Sequence, residues 1–305
     1  KVIVVIGPTS VGKTKMGVAL AKKFNGEVIS GDSMQIYKQM DIGTAKVTEE
    51  EKEGIIHHCV DILNPDETYS VHDFQQTVRK KITEITQRGH VPIIVGGTGL
   101  YIKAALYDYQ FDEMENDHHA INEKYKDYTN EQLHDHLKSI DEESAKILHF
   151  NNRRRVLRAI EIYETTGKRK SEMLEEQEHI CLYDAYFVGL TLPRDVLYER
   201  INKRVDVMME NGLKEEMERL YSQGLTRNHQ SMKAIGYKEW FDYYDHQIDL
   251  NDVLELIKKH SRQYAKRQYT WFKNQFDVHW YDVNLENFEQ TIEQVTDDIE
   301  KILKV

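Results

Sequence analysis

The chain has 305 residues and a formal charge of −11, with 40% hydrophobic and 30% charged residues as in ordinary globular proteins, and its length implies one large domain with an insertion or two domains. Four prolines and sixteen glycines exclude a long disordered linker, and two cysteines, Cys59 and Cys181, exclude a disulfide framework or a cysteine zinc centre. The apolar run Val2 to Ile6 is too short for a signal-peptide core, and no later stretch reaches the roughly 18 apolar residues of a membrane span, so a cytoplasmic location without membrane contact is expected.

Lys1 to Ile6 is a β-branched run that ends in a glycine-rich turn, and Met16, Ala19 and Leu20 give the stretch Lys13 to Lys23 helical spacing. Between them, Gly7-Pro8-Thr9-Ser10-Val11-Gly12-Lys13-Thr14 satisfies G-x-x-x-x-G-K-[ST] in the strand-loop-helix setting that the motif requires. In such a loop the backbone N–H groups turn inward as an anion nest. Lys13 adds a point charge, and the Thr14 hydroxyl can ligate Mg²⁺. The motif specifies a diphosphate but not which one.

Glu27 to Ser30 reads as a second strand, Val60 to Leu63 as a third, Phe74 to Arg88 as a helix, and Val91 to Val95 as a buried strand running into Gly96-Gly97-Thr98-Gly99. A nucleotide hydrolase would normally carry a carboxylate at the end of such a strand. Here the carboxylate closely following an early strand is Asp32, within Ser30-Gly31-Asp32-Ser33-Met34-Gln35. It is a general-base candidate, although Gly-Asp-Ser taken alone favours a helix cap or turn former. His57, His58 and Cys59 are adjacent, so on a strand they point to opposite faces, and a structural role is expected rather than a shared metal.

After Leu106 aromatic, acidic and helix-forming residues dominate to about Glu178, which reads as a helical insertion. Tyr186 to Leu192 then returns as a strand, and Pro193 opens a helix to about Leu220 with Arg200, Arg204 and Met208 on one face. Helices over about Asp252 to Asn274 and Leu285 to Leu303 close the chain. The expected fold is α/β, a P-loop parallel sheet with helices on both faces (1–106 and 186–305) and a helical insertion (107–185).

The negative net charge argues against a nucleic-acid partner, but charge is segregated. No acidic residue lies between Glu143 and Glu161, where Lys146, Arg153, Arg154, Arg155 and Arg158 fall, nor between Glu255 and Asp277, where Lys258, Lys259, Arg262, Lys266, Arg267 and Lys273 fall. Acidic residues gather in Glu49 to Glu53, Asp112 to Asp117 and Glu172 to Glu178. Arg154, Arg155 and Arg158 share one helical turn, and Lys258, Arg262 and Lys266 recur every four residues, so each set has either a phosphate-binding or a merely solvated face. Tyr264, Tyr269, Trp271 and Phe272, at helical spacing in the second island, read as core.

Taken together, several segments resemble the tRNA dimethylallyltransferase family: Gly7 to Thr14; Gly31 to Tyr37 continuing through Met40-Asp41-Ile42-Gly43-Thr44-Ala45-Lys46; Gly96 to Tyr101; Arg155 to Gly167; Ala234-Ile235-Gly236-Tyr237-Lys238-Glu239; and Arg262 to Phe272. The blocks Asp32 to Tyr37 and Arg262 to Gln268 are far more specific than the phosphate loop. The departures, Ile56 and Phe150 where the family usually has proline and Val11 where a small residue is common, touch none of the chemical roles.

The resemblance implies a magnesium-dependent prenyl transfer from dimethylallyl diphosphate to the adenine on the 3′ side of the anticodon, with the anticodon stem-loop of tRNA as partner and a monomeric enzyme. Gly7, Pro8, Thr9, Ser10, Val11, Gly12, Lys13 and Thr14 would hold the diphosphate, with Thr14 on Mg²⁺. Arg204 would stabilise the leaving group, with Arg200 as the alternative. Asp32 would accept the amine proton, and Thr98 would contact the target nucleotide. Ser33, Met34 and Gln35 beside Asp32, the run Arg154-Arg155-Val156-Leu157-Arg158, and Arg262 and Lys266 would contact tRNA, through the insertion in the case of the arginine run. Two rivals share the phosphate loop: a small-molecule or nucleotide kinase with Arg153 to Arg158 in a lid, and an RNA-binding switch without transfer chemistry.

Overall fold

The computed structural model describes residues 1–109, 118–175 and 179–303; the acidic run Asp112 to Asp117 and residues 176–178 lie outside them. Six parallel strands, β1 (Val2–Ile6), β2 (Gly26–Ser30), β3 (His57–His58), β4 (Val91–Val95), β5 (Ala185–Thr191) and β6 (His279–Asp282), form one sheet in the order β3-β2-β4-β1-β5-β6. All five residues of β1 are buried, as expected of a central parallel strand covered on both faces. Alternation sends Val2, Val4 and Ile6 to one side and Ile3 and Val5 to the other. The first side packs on Phe74, Val78, Ile82 and Ile85 of the helix Val71–Gln87 and on Ile102, Ala105 and Leu106 of the helix Gly99–Leu106. The second packs on Met16 and Leu20 of the helix Lys13–Lys23 and on Val295 and Ile299 of the helix Phe288–Leu303. This is the expected α/β class.

Three sequence expectations need correction. The third strand is His57–His58 rather than Val60 to Leu63, pairing Val28 with His57 and Ile29 with His58. Cys59 and Asp61 take left-handed φ values of 62° and 55°, which turn the chain out of the sheet despite its apolar residues. The helix opened by Pro193 is two helices, Arg194–Glu210 and Leu213–Ser222, because Gly212 sits at φ 99° between them. The short strand β6 has no counterpart in the sequence reading. Only Tyr281 of its four residues is buried, so this edge strand carries no apolar run.

The chain divides into two compact units, Lys1–Tyr107 with Cys181–Val305, which holds the sheet, and Asp108–Ile180. The second is helical in its described residues, with helices His118–Lys124, Asn130–Ile140, Glu142–Ile147, Arg153–Thr166 and Lys170–Glu175. Ile121, Leu133, Leu137, Val156, Leu157 and Ile160 form its core. Among the described residues no helix is long and apolar enough to cross a membrane.

A buried carboxylate shapes the backbone that follows β2. Glu216, 2% exposed, accepts hydrogen bonds from three successive backbone amides, Asp41 (3.1 Å), Ile42 (2.9 Å) and Gly43 (3.2 Å), and from the Tyr237 hydroxyl (2.5 Å). The four donors supply what a desolvated carboxylate needs. Lys46 secures the far end of the same loop: its ammonium donates to the Tyr37 carbonyl and to Asp41 and Asp61. Glu216→Ala removes the acceptor shared by three amides, each orphaned buried N–H costing about 1–3 kcal/mol before water replaces the contact. Urea unfolding should show a loss of about 3 kcal/mol or more; an unchanged midpoint would mean that the loop does not depend on this carboxylate.

Candidate active site at the carboxyl ends of the strands

The carboxyl ends of β1, β2 and β4 bring the phosphate loop, Asp32 and the Gly97-Thr98 turn together, in the crevice where ligands of open α/β sheets bind. Gly12, at φ 105°, closes the phosphate loop, and the helix Lys13–Lys23 starts directly behind it. The Lys13 ammonium donates to the Pro8 carbonyl at 2.7 Å. Helix Arg194–Glu210 lays two arginines against the loop: Arg204 donates to the Thr9 (3.2 Å) and Ser10 (3.3 Å) hydroxyls, and Arg200 donates to the Ser10 carbonyl at 3.0 Å.

Both cations at the centre of this cluster are half-buried, and burial weakens both charges. Lys13 is drawn down to about 7, first by desolvation and then by Arg204, with Asp32 opposing. Arg204 is also lowered, again chiefly by burial, with Glu51 and Asp32 pulling the other way. Their hydrogen bonds go to neutral oxygens. The site is thus a positive pocket that gains charge stabilisation when an anion enters.

Asp32 acts as a turn former: its Oδ1 accepts from the amides of Met34 (2.7 Å) and Gln35 (3.2 Å). Its Oδ2 makes no hydrogen bond among the described residues, so the carboxylate has an oxygen left for a ligand. Thr98 precedes the helix Gly99–Leu106 but makes no side-chain cap there. Its hydroxyl instead accepts the Ser33 amide at 3.1 Å, tying the turn after β4 to the residue beside Asp32. Gln35 reaches the carbonyls of Thr44 and Ala45, both at 3.3 Å, on the loop that Glu216 and Lys46 hold.

Two cavities meet here. One, about 560 Å³, is lined by Lys13, Thr14, Glu51, Arg200, Lys203 and Val95. The other, about 330 Å³, is lined by Met34, Ile201, Val205, Met208, Ala234 and Ile235, with Ser33 and Arg267. Asp32, Thr9, Ser10, Thr44, Arg204 and Tyr264 line both. The first has the cations and hydroxyls suited to phosphates, and the second has apolar walls suited to a planar or hydrocarbon group. The shared wall carries a carboxylate and a guanidinium. Among the described residues no group of three or more His, Cys, Asp or Glu is placed to hold a metal ion. The Thr14 hydroxyl lines the first cavity, an oxygen donor of the kind a hard cation takes.

The remaining sequence candidates are distributed unevenly. Arg154 and Arg155 are exposed and without an ion pair among the described residues, whereas Arg158 pairs with Glu161 at 2.7 Å. Val156 and Leu157, expected at the RNA, are 0% and 6% exposed, and their side chains pack in the core of their own unit. On helix Leu250–Gln275, Lys258 pairs with Asp206 (2.8 Å) and Arg262 donates to Asn202 (2.6 Å), so these two turn toward helix Arg194–Glu210 while Lys266 stays exposed. Tyr264 and Gln268, one turn apart, face the site: Tyr264, read from its spacing as core, lines both cavities, and Gln268 was not singled out, while Tyr269, also read as core, is exposed and Phe272 is buried as expected. The signal for Gln268 was an interruption of an otherwise apolar buried stripe by a glutamine. His58 pairs with the buried Glu27 (2.6 Å), a structural role as expected.

The family model described as IPP transferase matches residues 35–275. A protein named tRNA dimethylallyltransferase from Bacillus cereus (strain AH187) is 54% identical over 286 residues, covering 93% of this chain and 90% of its own length. A namesake from Bacillus anthracis is 54% identical, covering 93% of this chain and 91% of its own. A crystal structure of the tRNA delta(2)-isopentenylpyrophosphate transferase of Staphylococcus epidermidis aligns with a TM-score of 0.73 at 48% identity, covering 98% of each chain. A eukaryotic dimethylallyltransferase acting on tRNA aligns with a TM-score of 0.85 at 33% identity, covering 98% of this chain and 78% of its own.

The depressed Lys13 value fixes a sign for proton linkage. With its free value at about 7, Lys13 is largely neutral at about pH 8, and a bound polyanion restores its proton. Binding of an alkyl diphosphate, itself fully ionised at that pH, should take up close to one proton, and affinity should fall as pH rises from about 7 toward the ordinary lysine range. Calorimetry in buffers of different ionisation enthalpy counts the proton. Equal enthalpies in all buffers would mean that Lys13 is already charged before the ligand arrives.

Proposed function

The chain belongs to the IPP transferase family, and from that premise we propose that it transfers the dimethylallyl group of dimethylallyl diphosphate to the exocyclic amine of the adenine 3′-adjacent to the anticodon in tRNA. The observation that carries this reading is the common wall of the two cavities, where Asp32 and Arg204 face both. A transfer between two bound substrates needs an acceptor compartment, a leaving-group compartment and a carboxylate between them.

In this reading the diphosphate lies on the amides of the phosphate loop, with Lys13, Arg204 and, from the same helix, Arg200 around its oxygens. The adenine enters the apolar cavity, lifted out of its stack in the anticodon loop as enzymes acting on bases require. Its amine nitrogen bonds to the allylic C1 as the C1–O bond breaks, and that bond's electron pair leaves with diphosphate. The nitrogen then sheds a proton, and the free Oδ2 of Asp32 is the acceptor. Lys13 and Arg204 oppose the charge that grows on the leaving oxygen, a task suited to cations already desolvated. Magnesium bound through the Thr14 hydroxyl and diphosphate oxygens would add further neutralisation of that leaving group.

Thr98 acts behind the reacting atoms by holding Ser33, and through it the Asp32 turn. Arg154, Arg155 and Lys266, exposed and without an ion pair among the described residues, are available for RNA phosphates, while Arg153 serves the backbone of its own unit, donating to the carbonyls of Tyr128 (2.6 Å) and Tyr125 (2.7 Å). We place the enzyme in the cytoplasm, acting as a monomer.

The discriminating experiment offers ATP, GTP and dimethylallyl diphosphate separately, each with Mg²⁺ and unmodified tRNA. Prenylated adenine from the isoprenoid donor alone is expected, with inorganic diphosphate competing; a phosphorylated product from ATP and no mass gain on tRNA would return the case to a kinase. Within that assay, Asp32→Asn should lower single-turnover transfer by roughly 10²-fold or more, the scale of a positioned general base. Near-normal turnover would remove Asp32 from the reaction.

A further inference from the structure

Gln268 lies 5% exposed on helix Leu250–Gln275 and lines the cavity of about 560 Å³ beside the phosphate loop. Its Oε1 accepts the Thr9 amide of the phosphate loop at 2.9 Å, and its Nε2 donates to the Gly97 carbonyl, next to Thr98, at 3.0 Å. The partners fix the amide's orientation, because Thr9 can only donate there and Gly97 can only accept. Tyr264, one turn earlier, also donates to the Gly97 carbonyl at 3.3 Å, so both lone pairs of that oxygen are engaged. The approach is close: a Cβ on Gly97 would fall 2.1 Å from Nε2, which only glycine avoids.

One side chain therefore joins the two halves of the site. Thr9 belongs to the loop that receives the diphosphate, and its hydroxyl takes a hydrogen bond from Arg204. Gly97 anchors the turn whose Thr98 holds Ser33 beside Asp32. With its amide engaged by Gln268, Thr9 leaves anion binding to the amides that follow it in the loop. Displacement at an allylic carbon requires nitrogen, carbon and leaving oxygen nearly in line, and an error of about 1 Å in such a geometry can cost about 10²-fold in rate.

We propose that Gln268 is a positioning residue that sets the distance between the bound diphosphate and the acceptor adenine by bridging Thr9 and Gly97. The proposal rests on the function given above and extends it to a residue whose side-chain amide is engaged by the protein on both sides. It separates two quantities that a general weakening of the fold would move together. Each substrate alone contacts one side of the bridge and binds normally without it, whereas transfer needs both sides in register.

The test uses Gln268→Met, which keeps the volume and loses both hydrogen bonds, and Gln268→Asn, which keeps the amide but is one methylene too short to span both partners. For each variant the binary affinity for inorganic diphosphate with Mg²⁺, the binary affinity for unmodified tRNA, and the single-turnover transfer rate at saturating substrates are measured beside the wild type, with the melting temperature as a check on folding. The expected result is a fall in transfer of about 30-fold or more, with both binary affinities within about threefold of wild type. Transfer within threefold of wild type overturns the proposal, and so does a fall matched by an equal loss of either binary affinity, since Gln268 would then belong to one half-site only. If Gln268→Met does not fold, Gln268→Asn decides on the same criteria. No transfer by the wild-type protein would instead remove the function reading, and this proposal with it.

Discussion

The site is organised around two half-buried cations, Lys13 and Arg204, both weakened chiefly by burial, Lys13 also by the neighbouring Arg204, and both hydrogen-bonded to neutral oxygens. Such a pair is an electrostatic cost that the fold carries until a polyanion arrives. Much of the surrounding architecture serves to hold that pair. The central strand β1 ends where the loop must begin, helix Lys13–Lys23 supplies a positive N-terminus, and helix Arg194–Glu210 brings its arginines across the loop. A leaving diphosphate then meets positive charge that needs no reorganisation during the reaction.

Preorganisation of this kind also demands that the irregular backbone at the strand ends stay fixed. Three buried polar side chains do this, each with its hydrogen-bonding capacity largely used. Glu216 gathers the amides of residues 41–43, Lys46 ties the same loop to Tyr37, Asp41 and Asp61, and Gln268 links the phosphate loop to the turn after β4. Loops held by apolar contacts alone would tolerate sliding, whereas hydrogen bonds with fixed donors and acceptors allow one register. Asp32 benefits at the end of these chains, because Gln35, Ser33 and Thr98 connect its turn to both loops.

Charge in the helical unit Asp108–Ile180 is spent in two ways. Arg153 and Arg158 satisfy carbonyls and a carboxylate within that unit, while Arg154 and Arg155 remain exposed on the same helix. The second basic island divides similarly, with Lys258 and Arg262 turned onto a neighbouring helix and Lys266 exposed. A protein of net charge −11 can thus keep local cations for an anionic partner without being basic overall.

The sequence by itself determined what depends on local chemistry. The strand-loop-helix around Gly7 to Thr14, the buried run Val91 to Val95, the helical insertion and the candidacy of Asp32 follow from residue types at short spacing, since an anion nest or an amphipathic helix is specified within a few turns of chain, whereas Arg204 and Thr98 were candidates only through the family resemblance. Features that depend on distant partners were decided by the tertiary structure. The edge strands His57–His58 and His279–Asp282 bury too little to show a pattern and exist because a neighbouring strand is there to pair with. Asp32 read as either a base or a turn former, and it forms the turn with one oxygen while keeping the other. Basic faces that looked equivalent by spacing differ because only packing reveals which cations find Asp206, Asn202 or Glu161. Gln268 meets Thr9 across 259 positions of sequence, a separation that no local pattern can encode and that only the folded sheet closes.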